Sequence, residues 1–343
     1  MMRMHFYENL GLEETFISMI KKYWFFIGIA CVIGIAFTLP HVGRFIRTYK
    51  VLNIGIFIAF FLTGLSLETS SFFEQLKNIK VLLAALFSSL IFFPLVAYFF
   101  GQYVFSNWPD FSLGTLIIGV APVTVASGTV MTAIALGNVP LSLFICVLGN
   151  FFSIVTIPIM VNILLKMGDV SIELPAVQML TGLTLKVLVP VVIGQLLQSR
   201  LKSKILPFSK AISIFNQGIV LLIILNAVSS STHRILETGP ALFLVFLFMI
   251  GLHVFILLAN KFMAGLIGLD KPSTAAFTIH TSQKTLTISY LVWAGYFANT
   301  YPMALIPGIV YHLTQMIMDT FVAQWFKSKM ESLPVTAKNG GRA

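Results

Sequence analysis

Apolar residues recur along this chain in stretches long enough to cross a bilayer. Ten such stretches predict helices at about residues 24–40, 50–67, 81–104, 113–137, 140–165, 178–199, 211–229, 240–260, 273–296 and 303–326. Ahead of them, the amphipathic segment Leu10–Lys22 is expected to lie on the membrane surface. Glu8, Glu13 and Glu14 precede the first stretch and no small-residue cleavage site follows, so no cleaved signal peptide is expected. The pattern predicts an all-α, polytopic membrane protein.

Polar residues break into two of these stretches. The fourth contains Ala121-Pro122-Val123-Thr124-Val125-Ala126-Ser127-Gly128-Thr129. There Pro122 removes a backbone donor, Gly119, Ser127 and Gly128 loosen the helix, and Thr124, Ser127, Thr129 and Thr132 supply hydroxyls. The ninth stretch contains Thr278, His280, Thr281, Ser282, Gln283 and Lys284. A lysine at membrane depth costs about 2.5–3.5 kcal/mol on insertion scales. Unwound backbone at that depth survives only where it is buried in protein or lines a cavity. Its freed carbonyls can hold a cation, and half-helix N-termini can hold an anion. The plainer reading stays open beside this one: small residues for close helix packing, and hydroxyls bonded back to their own helix.

The chain also repeats itself. Residues 53–74 and 216–237 share seven identities in 22 ungapped positions, an offset of 163, and these include Asn53/Asn216, Gly55/Gly218 and Glu74/Glu237. Val32-Ile33-Gly34 matches Val192-Ile193-Gly194, and Ser127–Thr132 matches Ser282–Thr287. Residues 1–167 and 168–343 are thus expected to be two copies of a five-span unit, with the seam near Gly168–Pro175. Five is odd, so the second copy enters the membrane inverted, and a shared site falls near the midplane. Asn53 and Asn216 are repeat-related and can either face a substrate cavity or bond neighbouring helices.

Composition agrees, and charge sets the orientation. The chain is 57% hydrophobic and 10% charged, against about 25% charged in soluble domains. Its net charge of +10 is unevenly placed: fifteen Lys and Arg fall on the side carrying both termini and five on the other. This predicts cytoplasmic termini in a cell (inner or plasma) membrane, basic loops against anionic lipid heads, and no nucleic-acid partner. Cys31 and Cys146 stand alone in apolar stretches and suggest neither a disulfide nor a metal pair. Motifs of metalloproteases, P-loop enzymes and serine hydrolases are missing, so no enzyme and no cofactor is expected. A channel is disfavoured by the lack of a charged ring or filter motif. His280 is read as a proton shuttle or a satisfied membrane histidine, His253 and His312 as interhelical hydrogen-bonders, and Asp319 as the partner of a basic loop residue.

Ala121-Pro122 through Ser127, with Val130-Met131-Thr132, Gly137-Asn138-Val139 and Leu141-Ser142, resembles the fourth–fifth span region of the bile acid:sodium symporter family. Ser282-Gln283-Lys284-Thr285-Leu286 is similar to the ninth span of its divergent SBF-like branch. The resemblance implies ten helices, with a panel from spans 1, 2, 6 and 7. Spans 3–5 and 8–10 would form a core, in which the broken spans 4 and 9 cross. It implies alternating-access transport and two sodium sites. The positions matching those sites read Ser127, Thr129, Ser142, Cys146, Thr278, Gln283 and Ser89, with Thr278 where the family has Glu. Sodium is therefore not expected to bind usefully. Lys284 is expected to stand in for the bound cation, to draw in an anionic substrate and to permit proton coupling, unless it only fixes the crossover. The expected partner is a small organic anion with an apolar body, and the protein is expected to be a monomer or weak homodimer. A regulatory membrane protein affecting calcium homeostasis without transport of its own is the alternative, prompted by the divergent branch.

Overall fold

A computed structural model describes residues 23–67, 79–124, 126–168 and 174–332. The Leu10–Lys22 lead-in, the repeat-related Thr69 and Glu74, and most of the seam loop lie outside the described residues. Helices account for the architecture, and no strand occurs among the described residues. In chain order they are α1 (Tyr23–Thr38), α2 (Pro40–Thr48), α3 (Val51–Ser66), α4 (Ile79–Val104), α5 (Pro109–Val120), α6 (Ala126–Ile134), α7 (Val139–Met167), α8 (Ala176–Leu201), α9 (Ser209–Thr238), α10 (Pro240–Leu266), α11 (Lys271–Ser282), α12 (Leu286–Tyr296) and α13 (Ile306–Glu331). Proline punctuates many starts: Pro40, Pro109, Pro140, Pro240, Pro272 and Pro307 all lie in first turns, where a missing N–H costs nothing. Asn138 and Asp270 cap α7 and α11 through the amides of Leu141 and Ser273.

Each of the ten apolar stretches holds a helix or an interrupted pair. By length and composition, five helices among the described residues can cross a membrane alone: α4, α7, α8, α9 and α10. The pair α1–α2, bent by 103°, makes a sixth if it is one span. At 16 residues α3 is shorter, and the fourth and ninth stretches are broken into α5–α6 and α11–α12. The protein is therefore a multi-pass membrane protein.

Its surface and interior are inverted relative to a soluble protein. Phe99, Phe100, Phe243, Leu258, Phe262 and Phe321 stand exposed, whereas Asn260, His253, Gln283, Lys284, Gln315 and Asp319 are buried. An apolar exterior suits lipid, and buried polar groups must then bond one another.

Close helix contact rests on glycine. A Cβ on Gly64 of α3 would lie 2.2 Å from the Val191 carbonyl oxygen of α8, and one on Gly194 would lie 2.3 Å from that of Phe61. In lipid, where apolar burial drives little association, such backbone approach is a principal source of helix–helix attraction. Gly64→Ala should therefore destabilise the detergent-solubilised protein by about 1–3 kcal/mol, because rigid backbone cannot yield. Gly251→Ala, which meets nothing within 4 Å, serves as the control in a thermal-unfolding comparison.

Candidate functional site: two helix breaks joined by a buried lysine

α5 and α11 are each twelve residues long and each ends in an unwound run, at 121–124 and 283–285. The two runs touch: Thr285 N–H donates to the Pro122 carbonyl at 2.9 Å. Counted from the helix ends, Ala121 corresponds to Gln283 and Pro122 to Lys284. The sequence match of Ser127–Thr132 with Ser282–Thr287 pairs residues in different settings. Ser127 and Thr129 lie inside α6, whereas Ser282 closes α11 and Lys284 sits in the break.

Lys284 is fully buried. Its Nζ donates to the carbonyls of Ser89 at 2.5 Å and Ala121 at 2.8 Å, and lies 4.3 Å from the centre of the Phe93 ring. Two of its hydrogens go to these carbonyls, and the Phe93 ring covers the nitrogen's remaining side. Local sequence makes the first carbonyl available. Pro94 has no N–H, and Ser88–Phe92 forms a π turn in which Phe93 N–H reaches back to Ser88. Neither residue then serves Ser89, so its carbonyl turns to the lysine. Ser89 thus contributes its backbone rather than its side chain, whose hydroxyl is buried without a partner. Gln315 of α13 holds the lysine's own backbone, accepting from Lys284 N–H at 2.8 Å and donating to its carbonyl at 2.9 Å.

Gln283 links the breaks to the last helix. Its Oε1 accepts from Thr124 and from Ser127 (2.9 Å), and its Nε2 donates to Asp319 at 2.6 Å. Thr124 and Ser127 also bond each other at 2.6 Å, so the two hydroxyls and the amide oxygen form one closed cluster. Asp319 also meets His253 at 2.9 Å, so the expectation of a basic loop partner is wrong: the carboxylate points inward from α13. His253 does join helices, as expected, but His312 bonds Gln315 of its own helix at 3.0 Å.

The remaining predicted residues divide. His280 is buried against Gly128 and pairs with Ser142 at 2.5 Å, and Ser142 accepts from Thr132 at 3.1 Å. Thr281 and Ser282 bond back to carbonyls of α11, the plainer of the two readings offered by sequence. The Thr278 hydroxyl is buried without a partner. Thr129 is half-buried on α6. Cys146 directs its thiol at the Thr124 carbonyl, 3.6 Å away. Asn53 is exposed and Asn216 half-buried, both away from the breaks.

Sequence reasoning missed three contributors: Asn150, which donates to the Val123 carbonyl at 3.1 Å, and Tyr311 and Gln315. The signal for the last two was present. Tyr311, His312, Gln315 and Asp319 form a polar stripe at helical spacing in an otherwise apolar segment. Beside Cys146 and Asn150 lies a cavity of about 230 Å³, walled by α3, α7 and α8 through residues such as Phe60, Ile154 and Val191.

A bundle of apolar helices around two joined breaks is a transporter's architecture, and comparison with known proteins decides the family. The pattern of the SBF-like CPA transporter family matches residues 23–328. The chain belongs to this family. It is 26% identical to Sodium/bile acid cotransporter 7 of Xenopus tropicalis over 95% of this chain and 98% of that one. The Rattus norvegicus protein of the same name is 27% identical over 91% and 95%. A probable sodium/metabolite cotransporter of Arabidopsis thaliana, BASS4, chloroplastic, is 27% identical over 86% of this chain and 70% of that one. Membership makes this SBF-like chain a transporter rather than an enzyme.

Replacing Lys284 by Met keeps the bulk and removes the donors. Two buried carbonyls are then stranded at about 1–3 kcal/mol each. Thermal unfolding in detergent should fall accordingly; an unchanged midpoint would mean that the ammonium does not hold the breaks together.

Proposed function

We propose that the protein is a secondary active transporter of a small organic anion, working by alternating access in a cell membrane with cytoplasmic termini. Ten crossings in two inverted five-helix repeats accommodate the observed helices, with spans 1, 2, 6 and 7 as panel and the rest as core. The matched lengths of α5 and α11 support this reading.

One observation carries the assignment of mechanism: the Lys284 ammonium lies between the Ser89 and Ala121 carbonyls, where the two breaks meet. A fixed positive charge thus takes the place of a transported cation. A sodium ion about 4 Å away would be repelled by about 4 kcal/mol at an effective dielectric near 20. That is close to three decades in affinity. The nearby groups reinforce the exclusion. Asp319 brings a carboxylate that the ninth stretch lacks, but its oxygens face His253 and Gln283. Gln283 Oε1 is engaged by the Thr124 and Ser127 hydroxyls, and Cys146 offers soft sulfur whose thiol points at the Thr124 carbonyl. Lys284 therefore acts by fixing the breaks and biasing the local field, since its donors are occupied. The substrate's charge is met by the N-termini of α6 and α12, which begin at the breaks. Its apolar body suits the cavity beside Asn150.

The relatives' names supply the first probe, a bile acid. Purified protein in proteoliposomes should give saturable counterflow of a labelled bile acid or of another labelled carboxylate or sulfate. Rates in sodium and in choline should agree within about twofold, since a uniform loss of coupling leaves no sodium term. Counterflow that needs sodium would overturn the fixed-cation reading. Its absence across the whole anion panel would favour a regulatory protein.

A further inference from the structure

Asp319 and His253 are both completely buried, and the hydrogens around them can be placed by elimination. Tyr311 has a single phenolic hydrogen, and it is directed to the Ser282 carbonyl at 2.6 Å. At its contact with His253 Nδ1, 2.8 Å away, the phenol oxygen must therefore accept. Nδ1 carries a hydrogen, and Nε2 faces Asp319 Oδ1 at 2.9 Å. That short contact needs one more hydrogen, on the ring or on the carboxyl. With it, the pair is either an ion pair or two neutral groups, and its net charge is zero. Without it, a nitrogen lone pair faces a carboxylate oxygen in a dry interior, with net charge −1.

We infer that the His253–Asp319 pair is a one-proton coupling site whose occupancy holds the helix breaks in the arrangement seen here. This rests on the transporter reading above and adds the identity of the coupled ion. When the proton leaves to water, Oδ1 and Nε2 become two acceptors that repel at hydrogen-bond distance, so the contact must open. Asp319 Oδ2 is held by Gln283 Nε2, and Gln283 Oε1 by Thr124 and Ser127. Movement of the carboxylate is thus passed through one amide to the unwound run of the fourth stretch.

Other polar groups near the pair are otherwise engaged. From the second break, Lys284 gives its ammonium to Ser89 and Ala121. On α13, His312 bonds Gln315, and Tyr311 is committed to Ser282 and His253. From α11, His280 faces Ser142. On α4, Ser88 bonds Asn260 of α10. None of these makes a hydrogen bond to the Asp319 carboxylate, so the His253–Asp319 contact is where one proton changes sign and geometry together.

The sign follows. The protonated pair stabilises the joined breaks, so acid keeps them closed and rising pH loosens them. Full-length protein in nanodiscs should show hydrogen exchange in peptides spanning residues 121–125 and 283–285 that rises with pH beyond the intrinsic rate. A one-proton linkage gives about tenfold per pH unit in the opening equilibrium. Asp319→Asn keeps two hydrogen bonds and has no transferable proton, so its corrected exchange should stay flat. Nitrogen-15 spectra of histidine-labelled wild-type protein, assigned with His253→Asn, give a second measure independent of that variant's folding. The hydrogen lost as pH rises should be the one shared by His253 Nε2 and Asp319, read as a change in the Nε2 signal while Nδ1 keeps its hydrogen. Equal pH dependence in wild type and Asp319→Asn, no titration, or loss of hydrogen from Nδ1 instead would each overturn the inference. The bile-acid counterflow assay separates the two ideas: transport with a silent pair sinks only the proton site, and a titrating pair without transport of any anion sinks only the transporter reading.

Discussion

Everything central in this structure depends on how a single ammonium is satisfied away from water. Lys284 is held by the carbonyls of Ser89 and Ala121 and by the Phe93 ring. Both carbonyls are free because a proline interrupts a helix nearby: Pro94 leaves Ser89 without its N–H partner at the π turn of α4, and Pro122 follows the end of α5. An unpaired carbonyl in an apolar interior is costly, and so is an unpaired ammonium. The defects in two helices and the charge in a third cancel one another, which makes three individually unfavourable features into one stable joint.

Around that joint the polar groups form connected layers rather than a scatter. Gln315 clamps the lysine backbone, Gln283 ties the breaks to Asp319, and His253 and Tyr311 close the chain back to Ser282. Such networks are stable only when nearly every member has a partner. Exceptions remain among the described residues: the hydroxyls of Ser89 and Thr278, Asn150 Oδ1, Asn260 Nδ2 and His280 Nε2 are buried without a hydrogen-bond partner. Elsewhere, Gly64 and Gly194 set the backbones of α3 and α8 against each other.

Membrane character, the positions of the ten helical stretches, the two interruptions and the place of Lys284 in the second were legible in the sequence. Each follows from local chemistry: apolar length, proline's missing donor, and the cost of a charge in lipid. The family was legible too, through the residues flanking both breaks. The partners of Asp319 and the backbone role of Ser89 were not. Asp319 lies 66 residues from His253 and 36 from Gln283, and nothing local says which face of α13 turns inward. The hydroxyls of Thr281 and Ser282 looked like site groups but bond to their own helix, an outcome that composition cannot distinguish from lining a cavity.

Sequence by itself thus determined that this chain lives in a membrane, that its helices break twice, and that one break carries a charge needing a partner. Tertiary structure decided which groups answer that need. Hydrogen-bond partners in a bilayer are chosen by geometry among distant helices, and only packing can bring the Ser89 carbonyl to a lysine 195 residues away.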